Sequence, residues 1–298
     1  MSKKKLAIVL IGIIDIIAII FACMFYFDLI NQKVNNKEII AVESNEVIEN
    51  KNTQEERQLW INNKAINNDY IGEIKFDSGL INKSFVQAKD VYDLNGEPYK
   101  FYTEYGQIVF DVENYNGNDV YIWTNWKDMS YDYNILGGSI FMDYRNNIDD
   151  ENIIIYGHHF SETSGNDPDR NKAFTPLEKL FEEENYEENK SLKLILDNCT
   201  YSYVLAGVYK YDVFDDYYIQ KLQYYRTHYN YDEFNDVKDD NYYSNYIEAF
   251  NNVRLYDTGV DLNTNDKTLT LQTCISGHDG ELYEICVFKL INIEYFDE

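Results

Sequence analysis

The sequence is poor in proline, histidine and basic side chains. Its 298 residues include 3 prolines and 4 histidines, and its 26 lysines and arginines stand against 52 aspartates and glutamates. The resulting formal charge of −26 argues against nucleic acid as a partner, because a dense negative field repels it. The acidic excess is typical of a solvated surface. Hydrophobic residues make up 45% of the chain, enough for the core of one large domain or two small ones.

The four cysteines lack the close, even spacing of small disulfide-rich secreted domains. Cys23 lies in an apolar run, and Cys199 and Cys286 stand among alternating apolar residues, a context typical of buried free thiols. Cys274, which follows a strand-like run, is therefore the cysteine most available for chemistry. Acidic loops such as residues 166–169 lack the ordered ligands and turn glycine of a calcium loop, so neither a metal nor a cofactor is expected.

A long apolar run at residues 6–27 predicts a transmembrane helix, because about 20 residues cross about 30 Å of hydrocarbon. The lysines at positions 3–5 favour the cytoplasmic side, which places the rest of the chain outside the cell. Asp15 interrupts the run at a cost of only about 3 kcal/mol on translocon scales. A cleaved signal peptide is the alternative, but the run exceeds a usual signal core. We therefore expect a single-pass protein of the cell membrane with residues 1–5 in the cytoplasm.

Residues 28–53 are polar and predict an extracellular stalk. A helix is expected from Thr53, since Thr53 and Glu56 have capping-box spacing. Short runs rich in Tyr and Ile then predict strands. They cover residues 70–76, 107–112, 120–124, 139–142, 152–156, 191–196, 201–209, 268–273 and 284–295, with helices at 176–187 and 241–253. The pattern indicates one mainly β domain over residues 54–298, a barrel with inserted helices.

A histidine and a cysteine stand at the ends of two of these predicted strands. His158 follows residues 152–156 and a glycine, and Cys274 follows residues 268–273. A cysteine nucleophile needs a base or imidazolium nearby and a donor for the developing oxyanion. Strand ends are held by ladder hydrogen bonds, which favours a preorganised pair. His159 is the second candidate for the base, whereas His228 lies in a polar, Tyr-rich stretch typical of a surface.

Residues 270–274 (TLQTC) resemble the TLxTC signature of sortases, and residues 152–158 (NIIIYGH) are similar to the strand that delivers their catalytic histidine. Further segments resemble class B members in the same order along the chain. They are residues 66–74, 138–145, 174–180 and 255–260. By this resemblance, which runs from about residue 54 to the C-terminus, the chain is identified as a member of the class B sortase family.

The resemblance implies a closed sortase β-barrel and a cysteine transpeptidase of the Gram-positive cell wall. Cys274 would attack a sorting-signal peptide of a secreted surface protein or pilin and form a thioacyl intermediate, and His158 would protonate the leaving amine. An amine of a peptidoglycan precursor or pilin would resolve the intermediate. Thr273, Gln272 and His278 are the residues expected to contact the substrate. An anchored structural β domain is the generic alternative, which requires the ordered similarity to be accidental.

The family's arginine is missing from its usual place. In the family, this arginine lies about six residues before a Lys-Leu pair. Here the pair is Lys289 and Leu290, and counting back six residues from Lys289 reaches Tyr283. No arginine follows Cys274 in the sequence. Removing one oxyanion donor typically costs about 100- to 1,000-fold in rate. Tyr283 is the candidate stand-in, His278 and Arg254 are alternatives, and a weakened or inactive protein that binds sorting signals or pilin subunits is the alternative function.

The segment before the histidine strand is longer than the resemblance predicts. Class B members carry one Gln-x-Lys-Asp-like element there, and this chain has two candidates, at residues 86–90 and 124–128. The Tyr-rich stretch around residues 90–120 is therefore interpreted as an insertion. It either extends a surface hairpin or reshapes the substrate groove.

Overall fold

The computed structural model describes residues 55–89, 91–93, 95–103, 106–131, 138–159, 173–212, 219, 241–275 and 282–296. The chain divides into two compact units, Met1–Glu55 and Glu56–Glu298, and the first lies outside the described residues apart from Glu55. The predicted membrane span at 6–27 and the stalk at 28–53 therefore also lie outside them. Within the described part of the chain, no helix is long and apolar enough to cross a bilayer.

Eight of the strands in the described residues close into a barrel, in the order β1-β2-β5-β6-β9-β10-β8-β7. The barrel strands are β1 (Tyr70–Phe76), β2 (Asn82–Gln87), β5 (Ile140–Met142), β6 (Asn152–Tyr156), β7 (Ser191–Ile195), β8 (Cys199–Asp212), β9 (Thr268–Cys274) and β10 (Leu282–Tyr295). β3 (Lys100–Thr103) and β4 (Gly106–Val109) form a separate hairpin. The β2–β5 and β6–β9 pairs are parallel. The closed, mainly β barrel predicted from the sequence is thus confirmed.

In the described residues, one helix precedes the barrel strands and others lie between them. Those whose bounds are described are α1 (residues 55–66), α2 (Gly117–Ile122), α3 (Tyr186–Asn189) and α4 (Tyr242–Val253), with 3₁₀ turns at Thr175–Phe181 and Glu183–Asn185. The predicted helix at 176–187 is therefore mostly 3₁₀. The predicted strand at 120–124 is wrong, because its first residues belong to α2. Asn116 and Asp119 cap that helix reciprocally, and this capping box overrides the strand preference of the residues that follow.

The histidine strand β6 is buried on both faces. Ile153 and Ile155 point into the barrel and pack with Leu269 and Leu271 of β9. Ile154 points outward and packs in a second cluster that includes Phe250 of α4. An uninterrupted isoleucine run suits such a strand, whereas a half-exposed strand would alternate with polar residues. The parity of β6 places Tyr156 and, beyond the strand, His158 on the outer side of the barrel wall.

The parallel pair β6–β9 is joined by buried side chains as well as by its ladder. The Asn152 side-chain oxygen accepts hydrogen bonds from the hydroxyls of Thr268 at 3.0 Å and Thr270 at 2.9 Å. Replacing Asn152 by alanine leaves the two buried threonine hydroxyls without this hydrogen-bond acceptor. Each unsatisfied buried group costs about 1–3 kcal/mol. We expect a loss of about 2–6 kcal/mol in the free energy of unfolding, measured by urea denaturation. Asn265→Ala at an exposed turn is the matched control, and an equal midpoint for both variants would contradict this role.

The Tyr-rich stretch around residues 90–120 contains two features. The first is the β3–β4 hairpin, in which all four residues of β4 are exposed. The second is α2, whose buried Val120 and Tyr121 pack in a cluster with Phe141 of β5. The stretch therefore includes a surface hairpin, as interpreted from the sequence, and also a helix that lies against the barrel beside β5.

Candidate active site

Three neighbouring strands bring His158, Cys274 and Tyr283 to one level of the barrel wall. Tyr283 on β10 is the cross-strand partner of Cys274 on β9. On the other side of β9, Gln272 pairs with Tyr156 of β6, and the Gly157 amide donates to the Gln272 carbonyl at 3.2 Å. Two residues further along both strands, His158 stands level with Cys274. Because residues opposite each other in a sheet share a face, all three lie on the outer face of the wall.

A cleft of about 300 Å³ opens where these strands end. β6, β9 and β10 form one wall, α2 with the loop before it forms another, and β5 with the turn after it closes the side. The lining residues are Asn116, Asn118, Asp119, Ile122, Phe141, Arg145, Tyr156, Gly157, His158, Gln272, Thr273, Cys274 and Tyr283. A concave site with apolar walls and a few convergent polar groups is the usual form of a binding site.

His158 is held by a backbone carbonyl and an aromatic ring. Its Nε2 lies 2.8 Å from the carbonyl oxygen of Ile122, the last residue of α2. A carbonyl oxygen only accepts, so Nε2 carries the proton and, in the neutral ring, Nδ1 does not. The ring lies 5.3 Å from that of Trp123, measured between centroids. These contacts fix both the tautomer and the orientation of the imidazole.

Burial keeps both reactive groups neutral. It raises the pKa of the Cys274 thiol above its ordinary value of 9.0. It lowers the pKa of His158 below 6.5, and the hydrogen bond to Ile122 opposes this only in part. Between pH 6.5 and 9.0, the resting site therefore holds a thiol and a neutral imidazole rather than a thiolate–imidazolium pair.

This protonation state can be measured through the ultraviolet absorbance of the thiolate. We expect the difference spectrum between the wild type and Cys274→Ala to show no thiolate up to pH 9.0, with the signal growing only above that value. The buried thiols of Cys199 and Cys286 cancel in the difference because both proteins contain them. A thiolate signal below pH 6.5 would show that the ion pair forms in the resting site, contrary to this expectation.

The two adjacent histidines lie in different surroundings. His159, the second candidate for the base, has Nε2 3.5 Å from the Glu178 carboxylate, and its side chain is 7% exposed. It does not line the cleft. His158 is therefore the histidine that the fold brings to Cys274.

Two of the three predicted substrate contacts are in the described residues. Gln272 and Thr273 both line the cleft. The Thr273 hydroxyl donates to the Gly157 carbonyl at 2.7 Å, so it also ties β9 to the turn that carries His158. His278 lies outside the described residues.

The two described candidates for the oxyanion donor, Tyr283 and Arg254, lie in different parts of the fold. Tyr283 lines the cleft opposite Cys274, and its ring stacks on Tyr211 at a centroid distance of 5.9 Å. Arg254 lies beside Gly207 of β8 and pairs with Asp257 at 2.8 Å. Tyr211 is the cross-strand partner of Tyr283, and Gly207 lies four residues, about 13 Å, further along β8. Arg254 therefore lies away from Tyr283, and it does not line the cleft.

Sequence reasoning did not single out four further residues that shape the cleft. Asn118, Arg145 and Tyr156 line it, and the buried Asp143 bonds to all three. The available signal was the Asp-Tyr-Arg run directly after an apolar strand, although its direction in space could not be read from the sequence. Within the described ranges, no group of three or more His, Cys, Asp or Glu side chains could hold a metal ion.

Comparison with known proteins identifies relatives for the whole barrel. No protein-family model matches the chain. The chain is 23% identical over 290 residues to Sortase B of Staphylococcus aureus (strain NCTC 8325 / PS 47). The aligned region covers 94% of this chain and 96% of that protein. The crystal structure of Clostridium perfringens sortase B matches with a TM-score of 0.52 and 25% identity, over 78% of this chain and 98% of that one.

A substrate complex is also among the structural matches. The Staphylococcus aureus sortase B–substrate complex has a TM-score of 0.55 and 20% identity, over 84% of this chain and 98% of that one. At this identity the match reports on the fold alone. The similarity nevertheless extends over nearly the full length of each solved domain.

Proposed function

We propose that this chain, a relative of the class B sortases in sequence and in fold, is a cysteine transpeptidase that cleaves a sorting-signal peptide. One observation carries the proposal. Cys274 ends β9, His158 lies two residues beyond the end of the adjacent parallel strand β6, and both line one cleft. Neither a buried structural cysteine nor a surface histidine requires that arrangement.

The proposed reaction begins from the neutral pair. Cys274 transfers its proton to the His158 imidazole as its sulfur attacks the carbonyl carbon of the peptide. The tetrahedral intermediate collapses to a thioester, and the imidazolium gives its proton to the departing amine. A second amine then attacks the thioester and releases Cys274. We propose an amine of a peptidoglycan precursor or of a pilin as this acceptor.

We further propose that the protein acts at the outer face of the cell membrane, anchored by residues 6–27. The apolar run and the lysines at positions 3–5 support this placement. The substrate would be the sorting signal of a secreted surface protein or pilin. In support, one structurally similar protein, sortase B of Staphylococcus aureus, is known in complex with its substrate.

A second candidate function rests on the sequence prediction that Tyr283 replaces the arginine of the family; Tyr283 is the cross-strand partner of Cys274. A phenol is a weaker donor to an oxyanion than a guanidinium, because charge-assisted hydrogen bonds are about twice as strong. The chain would then bind sorting signals or pilin subunits with little turnover.

Incubation of the full-length chain in detergent with a panel of sorting-signal peptides separates the two functions. The transpeptidase predicts cleavage that accelerates when an amine acceptor is added, with the acceptor joined to the released fragment. Peptide binding without cleavage would favour the second function. Neither binding nor cleavage across the panel would contradict both.

A further inference from the structure

Asp119 is an acidic side chain of the cleft that contacts no cation in the described part of the chain. The other permanently charged residue that lines the cleft is Arg145, and its guanidinium is engaged by the carboxylate of Asp143. We infer that Asp119 selects sorting-signal peptides that carry a lysine or arginine close to the scissile bond. The inference rests on the proposed function, in which this cleft binds the peptide, and it names the chemical class of the substrate.

The geometry of α2 places Asp119 on the side of the helix that faces the cleft. Asp119 and Ile122 are three residues apart, so they lie on one face of the helix, and both line the cleft. The residues between them, Val120 and Tyr121, are buried in the cluster that includes Phe141 of β5. Packing on that side therefore holds the helix against the barrel and leaves the face with Asp119 open to a ligand.

Asp119 lies one helical turn from the contact that holds the proposed base. The Ile122 carbonyl oxygen is 2.8 Å from Nε2 of His158, and His158 stands level with Cys274 across β6 and β9. One turn of an α-helix rises about 5 Å. An extended peptide advances about 3.3 Å per residue. A peptide that reaches Cys274 and follows α2 therefore brings a side chain from within a few residues of the scissile bond to Asp119.

The Asp119 carboxylate uses only one of its oxygens within the protein. Oδ2 accepts from the Asn116 backbone amide at 2.9 Å, which completes the cap of α2, and no donor of the described residues contacts Oδ1. Burial raises the pKa of Asp119 above its ordinary value of 3.8, and the hydrogen bond from Asn116 opposes this only in part. The carboxylate has thus lost contacts with water without gaining a cation, and a cationic ligand would offset that loss.

A basic side chain of the peptide satisfies this site better than a neutral one. Hydrogen bonds between charged groups are about twice as strong as those between neutral groups, and partial burial reduces their screening by salt. The apolar stem of a lysine or arginine can also pack along Ile122 while its charged end reaches Asp119. Because Arg145 and Asp143 neutralise each other, Asp119 gives the described walls of the cleft their net charge.

Peptide binding to the full-length Cys274→Ala chain in detergent tests the selection without turnover. The probes are a sorting-signal peptide that binds, and copies in which lysine or glutamine replaces each residue around the scissile bond in turn. We expect one position at which lysine binds about tenfold more tightly than glutamine, between the effect of an exposed ion pair and that of a charged hydrogen bond. In the wild type, lysine at that position should lower KM and leave kcat nearly unchanged, because the contact persists in the transition state.

Two variants assign this preference to Asp119. Asp119→Asn removes the charge and keeps the cap, since the asparagine oxygen can still accept from the Asn116 amide. In this variant the lysine and glutamine peptides should bind alike, with the affinity for the glutamine peptide near that of the parent. Glu113→Gln, at an exposed position before α2 and outside the cleft, is the matched control and should retain the preference.

Three results would overturn the selection by Asp119. The first is equal binding of the lysine and glutamine peptides at every position of the parent, which needs no Asp119 variant to fold. The second is a preference that persists in a folded Asp119→Asn, and the third is an equal loss in Glu113→Gln, which would assign the preference to the overall negative field. All three leave the proposed function intact, because they require bound peptide. A folded chain that binds none of the peptides would instead remove the proposed function itself.

Discussion

Replacing Cys274 by alanine is expected to lower peptide cleavage by at least about 10⁴-fold, the scale seen when a covalent nucleophile is removed. Cys274 is only half-buried at the end of β9, so the substitution removes the sulfur without opening a cavity in the core. The melting temperature should therefore stay close to that of the wild type. Cleavage is measured by chromatography of the peptide fragments at saturating substrate.

Cys199→Ala is the matched control for the loss of a thiol. Cys199 is a buried member of the barrel core, and burial raises its pKa to about 11, which makes it a poor nucleophile. Tyr211 of β8 pairs with Tyr283 and so marks the level of the site. Cys199 lies twelve residues from Tyr211, which is about 40 Å along the strand. We expect this variant to lose stability and retain turnover. Turnover in Cys274→Ala, or its loss in Cys199→Ala with a folded protein, would contradict the assignment of the nucleophile.

Replacing His158 by glutamine is expected to lower the rate of thioester formation by about 100- to 10,000-fold, the usual contribution of a general acid or base. Glutamine can still donate to the Ile122 carbonyl, but it cannot take the Cys274 proton or return one to the leaving amine. In the wild type, kcat/KM should rise with pH up to the lowered pKa of His158, below 6.5, and then level off. That acid limb should be absent from the variant.

The adjacent histidine provides the control for this prediction. His159→Gln changes the contact with Glu178 and leaves the cleft intact, so turnover and the acid limb should persist. Equal losses in the two variants would indicate a structural effect of the Gly-His-His turn. Loss only in His159→Gln would show that the base had been assigned to the wrong neighbour.

Those parts of the fold that depend on local pattern could be predicted from the sequence. β1 and β6 begin and end where their Tyr- and Ile-rich runs predicted, because β-branched and aromatic residues favour strands. The strand predicted at residues 120–124 was wrong for an equally local reason. Val120 and Tyr121 favour strands, but the cap formed by Asn116 and Asp119 nucleates a helix. β2 was not predicted, since its polar residues give no clear alternation.

The site was predictable where strand register determines position. Cys274 ends β9, His158 lies two residues beyond β6, and Tyr283 is the second residue of β10, so their proximity follows once the strand order is known. Arg145 was not predictable, because its direction depends on the fork to Asp143 and on the turn after β5. The sequence of β5 and β6 alone therefore does not show that Arg145 lines the cleft.

The mass of the intact chain after incubation with a cleavable sorting-signal peptide tests the nucleophile directly. We expect the wild type to gain the mass of the N-terminal peptide fragment, in a form that hydroxylamine removes and that peptide mapping places on Cys274. Cys274→Ala should gain nothing, and His158→Gln should gain it slowly. A folded wild type that carries no adduct while the peptide is cleaved, or an adduct on another residue, would contradict a thioacyl mechanism at Cys274.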